Sequence, residues 1–226
     1  MRKLPKTSGK SKNGQSPVIK SWCIAQITPD FLARTEAILE LYAQPYDKTR
    51  PLVCFDEKSV ELHADVRPPL PVASSKPKRV DYEYKRNGTR NVLLFLEPKA
   101  GQRHTLVTRR RTKHQWAYAM RYLVDVLYPG AVMIDVVLDN LNTHLAEVLI
   151  EIFGKAEADR ILSRLTFHYT PLHSSWLNMA EIELSVMERQ CLHRRLPDEL
   201  TLATELIARE RPRNDAQVKI RWKFST

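Results

Sequence analysis

The stretch AVMIDVVLDN (131–140) constrains the fold more than any other part of the sequence. It is a short run of mostly apolar and β-branched residues, and it ends in Asp139 and Asn140. Such a run predicts a strand that is buried on both faces, which requires helices to cover the sheet that contains it.

The N-terminal half predicts one helix followed by three consecutive strands. Apolar residues at helical spacing indicate an amphipathic helix near 29–46, and runs with strand character follow at 51–64, 90–98 and 103–110. The turn signals between these strands are Asn87-Gly88 and Lys99-Ala100-Gly101, and the proline-rich segment 67–80 is predicted to be a loop. Three strands with such connections favour an antiparallel meander.

The C-terminal half alternates between helix and strand. It predicts a helix at 114–129, the buried strand at 131–140, and helical sequence at 141–165 that is broken at Gly154. A strand at 166–171 follows, and then a helix from Pro171 to about Arg195 that is capped by Ser174 or Ser175. The chain ends with a helix at 200–210 and a strand-like segment, KIRWKFST. The order β-β-β-α-β-α-β-α predicts the α/β class, with one mixed sheet flanked by helices.

Composition limits the partners and the compartment. The chain has 36 Lys and Arg against 26 Asp and Glu, a net charge of +10, which favours a polyanionic partner such as nucleic acid over an ordinary basic protein. Cys23, Cys54 and Cys191 are far apart without zinc-site spacing, so they indicate buried thiols in a reducing compartment. We find no signal peptide and no apolar run of about 18 residues, and we therefore expect a cytoplasmic protein without membrane spans.

Acidic residues occupy positions suited to a metal site. Asp56 follows LVCF in the first strand, Asp139 follows VVL, and Glu181 and Glu183 lie on the helix after Pro171. If the two strands are neighbours, Asp56 and Asp139 lie side by side, and a glutamate could complete a cluster for Mg²⁺ or Mn²⁺. The helical period places both glutamates equally far from the apolar stripe, and the wider helical wheel favours Glu181 as the ligand, with Glu183 structural.

Each acid also has a structural interpretation. Asp56 could pair with Lys58, and Asp139 could cap a helix beginning near Asn142. Either glutamate could pair with Arg189 or Arg194.

Four segments together resemble one family. CFDEKS (54–59), VDYEYKRNGT (80–89), VVLDNLNTH (136–144) and FHYTPLHSSWLNMAEIE (167–183) resemble bacterial insertion-sequence transposases of the mariner-like DDE superfamily. The resemblance covers roughly residues 20–226. It implies a ribonuclease-H-like fold, two Mg²⁺ or Mn²⁺ ions, hydrolysis at the transposon ends, and attack of the freed 3′-OH on target DNA.

The resemblance also assigns residues and partners. Asp56, Asp139 and Glu181 correspond to the three catalytic and metal-binding acids, and Asn140 to a residue supporting Asp139. The partners are transposon-end and target DNA, and a homo-oligomer is expected. We predict a basic disordered arm at 1–20, a linker and helix at 21–50, and a catalytic domain at 51–226, without the family's N-terminal helix-turn-helix region.

A basic stretch before the buried strand suggests a DNA contact. The segment 99–121 contains no acidic residue, and its candidate phosphate contacts are Arg109, Arg110, Arg111, Lys113 and Arg121. The alternative is a solvated face. His144 and His168 could contact a phosphate or the metal site, but core or surface positions are favoured for both. Trp116 and Trp176 could stack on bases, but core or partly buried positions are favoured.

Two other functions remain open from the sequence. One is a truncated, non-catalytic remnant that binds DNA or inhibits a full-length transposase. The other is a cellular ribonuclease-H-like nuclease that has the acids without a mobile element.

Overall fold

A five-stranded mixed sheet forms the centre of the computed structural model, which describes residues 27–74, 76–141 and 144–220. The basic arm predicted at 1–20, Cys23 and the last six residues of the KIRWKFST segment lie outside the described residues.

The sheet combines an antiparallel meander with two parallel strands. Its strands are β1 (Leu52–Asp65), β2 (Tyr84–Glu97), β3 (Gln102–Thr108), β4 (Ile134–Leu138) and β5 (Leu165–Tyr169). Their order is β3-β2-β1-β4-β5, with antiparallel pairing from β1 to β3 and parallel pairing of β1 with β4 and of β4 with β5. The short turn 98–101 joins β2 to β3, whereas the β1–β2 connection is the long segment 66–83, and helices join the parallel strands.

Six α-helices surround the sheet. They are α1 (Pro29–Ala43), α2 (Lys113–Tyr122), α3 (Ala146–Phe153), α4 (Lys155–Leu162), α5 (Ala180–Met187) and α6 (Glu199–Asp215). Helices α2 and α5 continue into single π-helical turns, Leu123–Leu127 and Glu188–Leu192. Gly154 separates α3 from α4, as the sequence predicted, and its φ of +79° explains why glycine is suited to this position. None of the helices among the described residues has the length and apolar character needed to cross a bilayer.

The sheet separates two hydrophobic cores. Helices α2, α3 and α4 pack on one face, and α1, α5 and α6 pack on the other. Strand β4 is buried along its whole length, with Val136 in the first core and Val137 in the second. The expectation that this segment is a strand buried on both faces is therefore confirmed.

One predicted turn is instead a β-bulge. Asn87 and Gly88 lie inside β2, where the pairing with β1 shifts by one residue between Glu61 and His63. Gly88 adopts a φ of +87°, a conformation that suits a bulge as well as a turn. The β1–β2 connection lies earlier in the chain, between Asp65 and Tyr84. It contains the proline-rich segment 67–80, whose loop character is confirmed.

The helix predicted from Pro171 begins later than expected. A short 3₁₀ turn occupies Ser175–Leu177, and α5 begins only at Ala180. The side chain that accepts a hydrogen bond from the first turn of α5 belongs to Asn178 and not to a serine. Asn178 Oδ1 accepts from the Ala180 N–H over 3.1 Å. The serine caps were therefore wrong.

Candidate active site

The register of the parallel strands brings Asp56 next to Asp139. The last pair between β1 and β4 is Cys54 with Val137, and each aspartate lies two residues beyond its member of that pair. Cys54 and Val137 both belong to the core beneath α5. Asp56 lies inside β1 and Asp139 directly follows the last residue of β4, so the two carboxylates lie at the same level of neighbouring strands.

Helix α5 is fixed to the strand that carries Asp56. Asn178 Nδ2 donates a hydrogen bond to the Phe55 carbonyl over 2.8 Å, one residue before Asp56. The Tyr42 hydroxyl donates to the Leu177 carbonyl over 2.8 Å. Leu177 and Asn178 are both buried, so the Leu-Asn motif docks the start of the helix. Glu181, in the first turn, is exposed.

The three acids influence one another electrostatically. Burial, together with the charges of Glu181 and Asp139, raises the pKa of Asp56 to about 7, although a 2.7 Å hydrogen bond from the Glu57 N–H lowers it. Like charges destabilise the ionised form of a carboxyl group, and a bound cation relieves that repulsion. The donor set of three carboxylates therefore fits a hard divalent cation.

The carboxylates are not already gathered into a ligand shell. Within residues 27–74, 76–141 and 144–220, no group of three or more His, Cys, Asp or Glu side chains is arranged to hold a metal ion. Asp56, Asp139 and Glu181 thus form an acidic site without a preformed ligand group.

A buried histidine joins the second acid to a neighbour of the first. His144 Nδ1 lies 2.7 Å from Asp139 Oδ1, and His144 Nε2 lies 3.5 Å from Glu57 Oε1. Burial alone would lower the pKa of His144, but the two carboxylates raise it to about 9. His144 was correctly expected to be a core histidine. Glu57 was missed, although a charge that continues the inward-facing positions Val53 and Phe55 of β1 could have indicated it.

The structural alternatives for the aspartates do not occur. Lys58 pairs with Glu188 over 3.1 Å and not with Asp56. Helix α3 begins at Ala146 after Leu145, so Asp139 does not cap it.

The glutamates differ as the helical wheel indicated. Glu183 is buried, and it pairs with Arg213 and Arg103 and not with the expected Arg189 or Arg194. Arg194 pairs with Glu205, and Arg189 donates to Ser185 Oγ over 3.0 Å.

The five basic residues proposed to contact DNA have different environments. Arg111 pairs with Glu57 and Lys113 with Glu151, while the Arg121 guanidinium lies 4.8 Å from the centroid of the Tyr118 ring. Arg109 is 81% exposed and lies 3.5 Å from Glu199, and Arg110 is exposed. Arg109 and Arg110 are therefore the better placed for a phosphate.

The remaining candidates are placed as follows. Asn140 is exposed beside Asp139. His168 Nε2 lies 2.8 Å from Asp135 Oδ1, in a buried ion-pair cluster and not at the acids. Trp116 is fully buried, as expected for a core residue, whereas Trp176 is exposed in the short 3₁₀ turn, so the core or partly buried position expected for it was wrong.

The fold and these acids define an endonuclease family. The chain belongs to the DDE superfamily endonuclease family, whose model matches residues 51–203. The sheet and its flanking helices have the ribonuclease-H-like fold of the catalytic domain of Mos1 mariner transposase. No curated protein sequence matches the chain.

Solved complexes of Mos1 transposase are similar in structure. The paired-end complex with the left transposon end matches with 12% identity and a TM-score of 0.56, over 88% of this chain and 60% of the Mos1 chain. The pre-cleavage transpososome matches with 12% identity and a TM-score of 0.57, over 91% and 67%. The chain spans only about 60% of the length of the Mos1 chains in the paired-end and strand-transfer complexes.

Proposed function

We propose that the chain is a transposase catalytic domain that cleaves DNA at transposon ends and transfers the freed 3′ end to target DNA. The observation that carries the proposal is the register that places Asp56 beside Asp139, with Glu181 on the helix docked against the same strand. The Mos1 complexes of similar fold were solved with transposon ends, and two of them with Mn or Mg.

Asp56, Asp139 and Glu181 are the residues that would hold two Mg²⁺ or Mn²⁺ ions. Bound divalent cations would supply an activated nucleophilic oxygen and stabilise the leaving oxygen. Among the described residues, no group of side chains is already arranged to hold a metal ion, so the three carboxylates must turn towards the ions on binding. The exposed Glu181 has the freedom to do so.

The chemistry is two successive transfers at phosphorus. In the first, water attacks the phosphodiester, the P–O3′ bond breaks, and a 3′-OH and a 5′-phosphate are left. In the second, this 3′-OH attacks a target phosphodiester and displaces its 3′ oxygen. The acidic site contributes negative charge and orients the reacting phosphodiester, and Arg109 and Arg110 hold the DNA backbone.

Metal-dependent nicking of DNA tests the proposal. We expect Asp56→Asn, Asp139→Asn and Glu181→Gln each to abolish nicking in Mn²⁺, with circular dichroism unchanged. Glu61→Gln is the matched control, because Glu61 is an exposed acid on the same strand β1. Nicking that persists in all three variants would contradict the assignment.

The alternative of a non-catalytic DNA-binding remnant predicts a different result. Its binding to DNA would fall steeply with salt, would be indifferent to metal, and would lead to no strand cleavage. The register of Asp56 with Asp139 and the docking of the helix that carries Glu181 favour the catalytic proposal.

A further inference from the structure

We propose that His144 and Glu57 are positioning residues that fix the orientation of Asp139, an inference that rests on the proposed function of Asp139 as a metal ligand. The sequence offered a contact with phosphate or with the metal site as the less favoured interpretation of His144, and it assigned no role to Glu57.

The His144 ring bridges two carboxylates through its two nitrogens. Nδ1 lies 2.7 Å from Asp139 Oδ1 and Nε2 lies 3.5 Å from Glu57 Oε1. The His144 and Glu57 side chains are only 1% and 3% exposed, whereas Asp139 is 32% exposed. His144 therefore contacts the Asp139 carboxylate from within the protein at ion-pair distance, without hydrogen-bond geometry, and the rest of the Asp139 side chain is partly exposed.

The ring itself cannot easily move. It stacks on Trp116, with ring centroids 5.7 Å apart and an interplanar angle of 21°, and it makes an edge contact with Phe55 at 5.6 Å. The Tyr169 hydroxyl donates a hydrogen bond to the His144 carbonyl over 2.7 Å. Contacts to both the ring and the backbone therefore hold the imidazole in one place, and Asp139 must orient towards it.

Glu57 reaches both acids of the sheet. Its backbone N–H donates to Asp56 Oδ1 over 2.7 Å, while its side chain faces His144. Arg111 pairs with the outer oxygen of Glu57. Arg111 therefore compensates the buried charge of Glu57, and His144 lies between the Glu57 and Asp139 carboxylates.

A fixed carboxylate matters because metal geometry is demanding. Ligands need to be held within about 0.5 Å of the productive position, and loss of an outer partner typically weakens metal binding or activity about 10- to 100-fold. His144 and Glu57 supply this support for Asp139 in the arrangement described here.

The test is Mn²⁺ affinity of the metal-free full chain, measured by calorimetry. We expect His144→Gln to weaken binding about 10- to 100-fold. Glu57→Gln should weaken it less, and the double variant should bind no more weakly than His144→Gln, because Glu57 acts on Asp139 through His144. DNA affinity in EDTA should stay unchanged. The control is the exposed pair on the same strand, Glu61→Gln and His63→Gln, which should bind Mn²⁺ like the unmodified chain.

Asp139→Asn separates failure of this inference from failure of the proposed function. If Asp139→Asn leaves Mn²⁺ affinity unchanged, the proposed metal site is wrong. If it weakens binding while folded His144→Gln binds normally, only the positioning role is overturned. If the Mn²⁺ affinity of the double variant falls by the product of the two single reductions, Glu57 does not act on Asp139 through His144, and the inference is contradicted.

A measurement on the unmodified chain covers the case in which buried variants do not fold. The ring nitrogens of His144 should shift in ¹⁵N NMR spectra when Mg²⁺ is added, and the shift should be absent in Asp139→Asn. Ring signals that stay in place while Mg²⁺ binds would overturn the inference.

Discussion

Glu183 accepts two hydrogen bonds from the guanidinium group of Arg213, from Nε to Oε1 over 3.1 Å and from Nη2 to Oε2 over 2.9 Å. Arg103 Nε lies 3.3 Å from the same Oε1, and both the Arg103 and Glu183 side chains are at most 1% exposed. This buried glutamate thereby joins α5, α6 and β3, two residues from the exposed Glu181.

Substitution of Glu183 should therefore lower stability, and substitution of Glu181 should lower catalytic activity. We expect Glu183→Gln to lower the free energy of unfolding by about 3 kcal/mol, because it leaves the buried Arg103 without its counter-charge. Glu181→Gln, an exposed change, should alter it by less than about 0.5 kcal/mol while abolishing nicking. Urea denaturation of both variants measures the difference, and equal decreases in stability would contradict it.

Asn178 should affect activity through the position of α5. Asn178→Ala removes the hydrogen bonds to the Phe55 carbonyl and the Ala180 N–H, and leaves a buried carbonyl unpaired, at a cost of about 1–3 kcal/mol. Because the helix start is then less firmly docked, we expect nicking to fall by about 100-fold under conditions where the variant is fully folded. Ser175→Ala, an exposed change in the preceding 3₁₀ turn, serves as the control and should behave like the unmodified chain.

The Asp135 cluster should make stability depend on acid pH. Burial alone would raise the pKa of Asp135, but hydrogen bonds with His168 and Arg50 outweigh it and lower the pKa to about 2. A lowered carboxyl pKa contributes stability that is present above the unfolded value of 3.8 and is lost as pH falls towards 2. We expect stability to decrease by about 2 kcal/mol across that window.

Asp135→Asn gives the comparison for this pH effect. Thermal unfolding between pH 5 and about pH 2 should show a weaker acid dependence in the variant than in the unmodified chain. An identical dependence in both would rule out Asp135 as its source.

The exposed arginines before α2 should govern affinity for DNA. Arg109→Gln with Arg110→Gln should reduce the slope of log affinity against log salt by about 2, because each arginine is expected to neutralise one phosphate. Arg121→Gln should leave the slope unchanged and lower stability, because its guanidinium lies over the Tyr118 and Phe153 rings. Fluorescence anisotropy over a salt series distinguishes the two, and a slope that stays constant in the double variant would exclude Arg109 and Arg110 from the DNA interface.

Two glycines should respond differently to alanine. A Cβ at Gly101 would lie 2.4 Å from the backbone carbon and oxygen of Gln217, and its φ is +73°, so Gly101→Ala should cost more than about 1 kcal/mol. Gly130 has no atom within 4 Å of such a Cβ, so Gly130→Ala should change stability by less than about 0.5 kcal/mol. Denaturation curves of the two variants provide the test, and similar costs would contradict it.

Local sequence patterns correctly predicted the features that depend on burial alone. The β-branched run before Asp139 predicted the buried strand β4, and Gly154 predicted the break between α3 and α4. The helical wheel distinguished Glu181 from Glu183. Periodicity is informative in these cases because it records which face of an element is apolar, and each element carries that record within itself.

Pairing between distant residues was decided only by the tertiary structure. The sequence proposed Arg189 or Arg194 for Glu183, but the folded chain supplies Arg103 and Arg213 from two other elements. Asn87-Gly88 has the composition of a turn, yet the register between β1 and β2 makes it a bulge.

In the candidate site too, the sequence predicted the acidic residues, and the tertiary structure decided which of them are neighbours. The sequence placed Asp56, Asp139 and Glu181 at strand ends and on a helix, but strand order and register decided that the two aspartates are neighbours. The contacts of His144 with Glu57 and Asp139 depend on elements far apart in the chain meeting at one edge of the sheet. A charged side chain can take many partners, and the one it takes depends on which backbones the fold brings within reach.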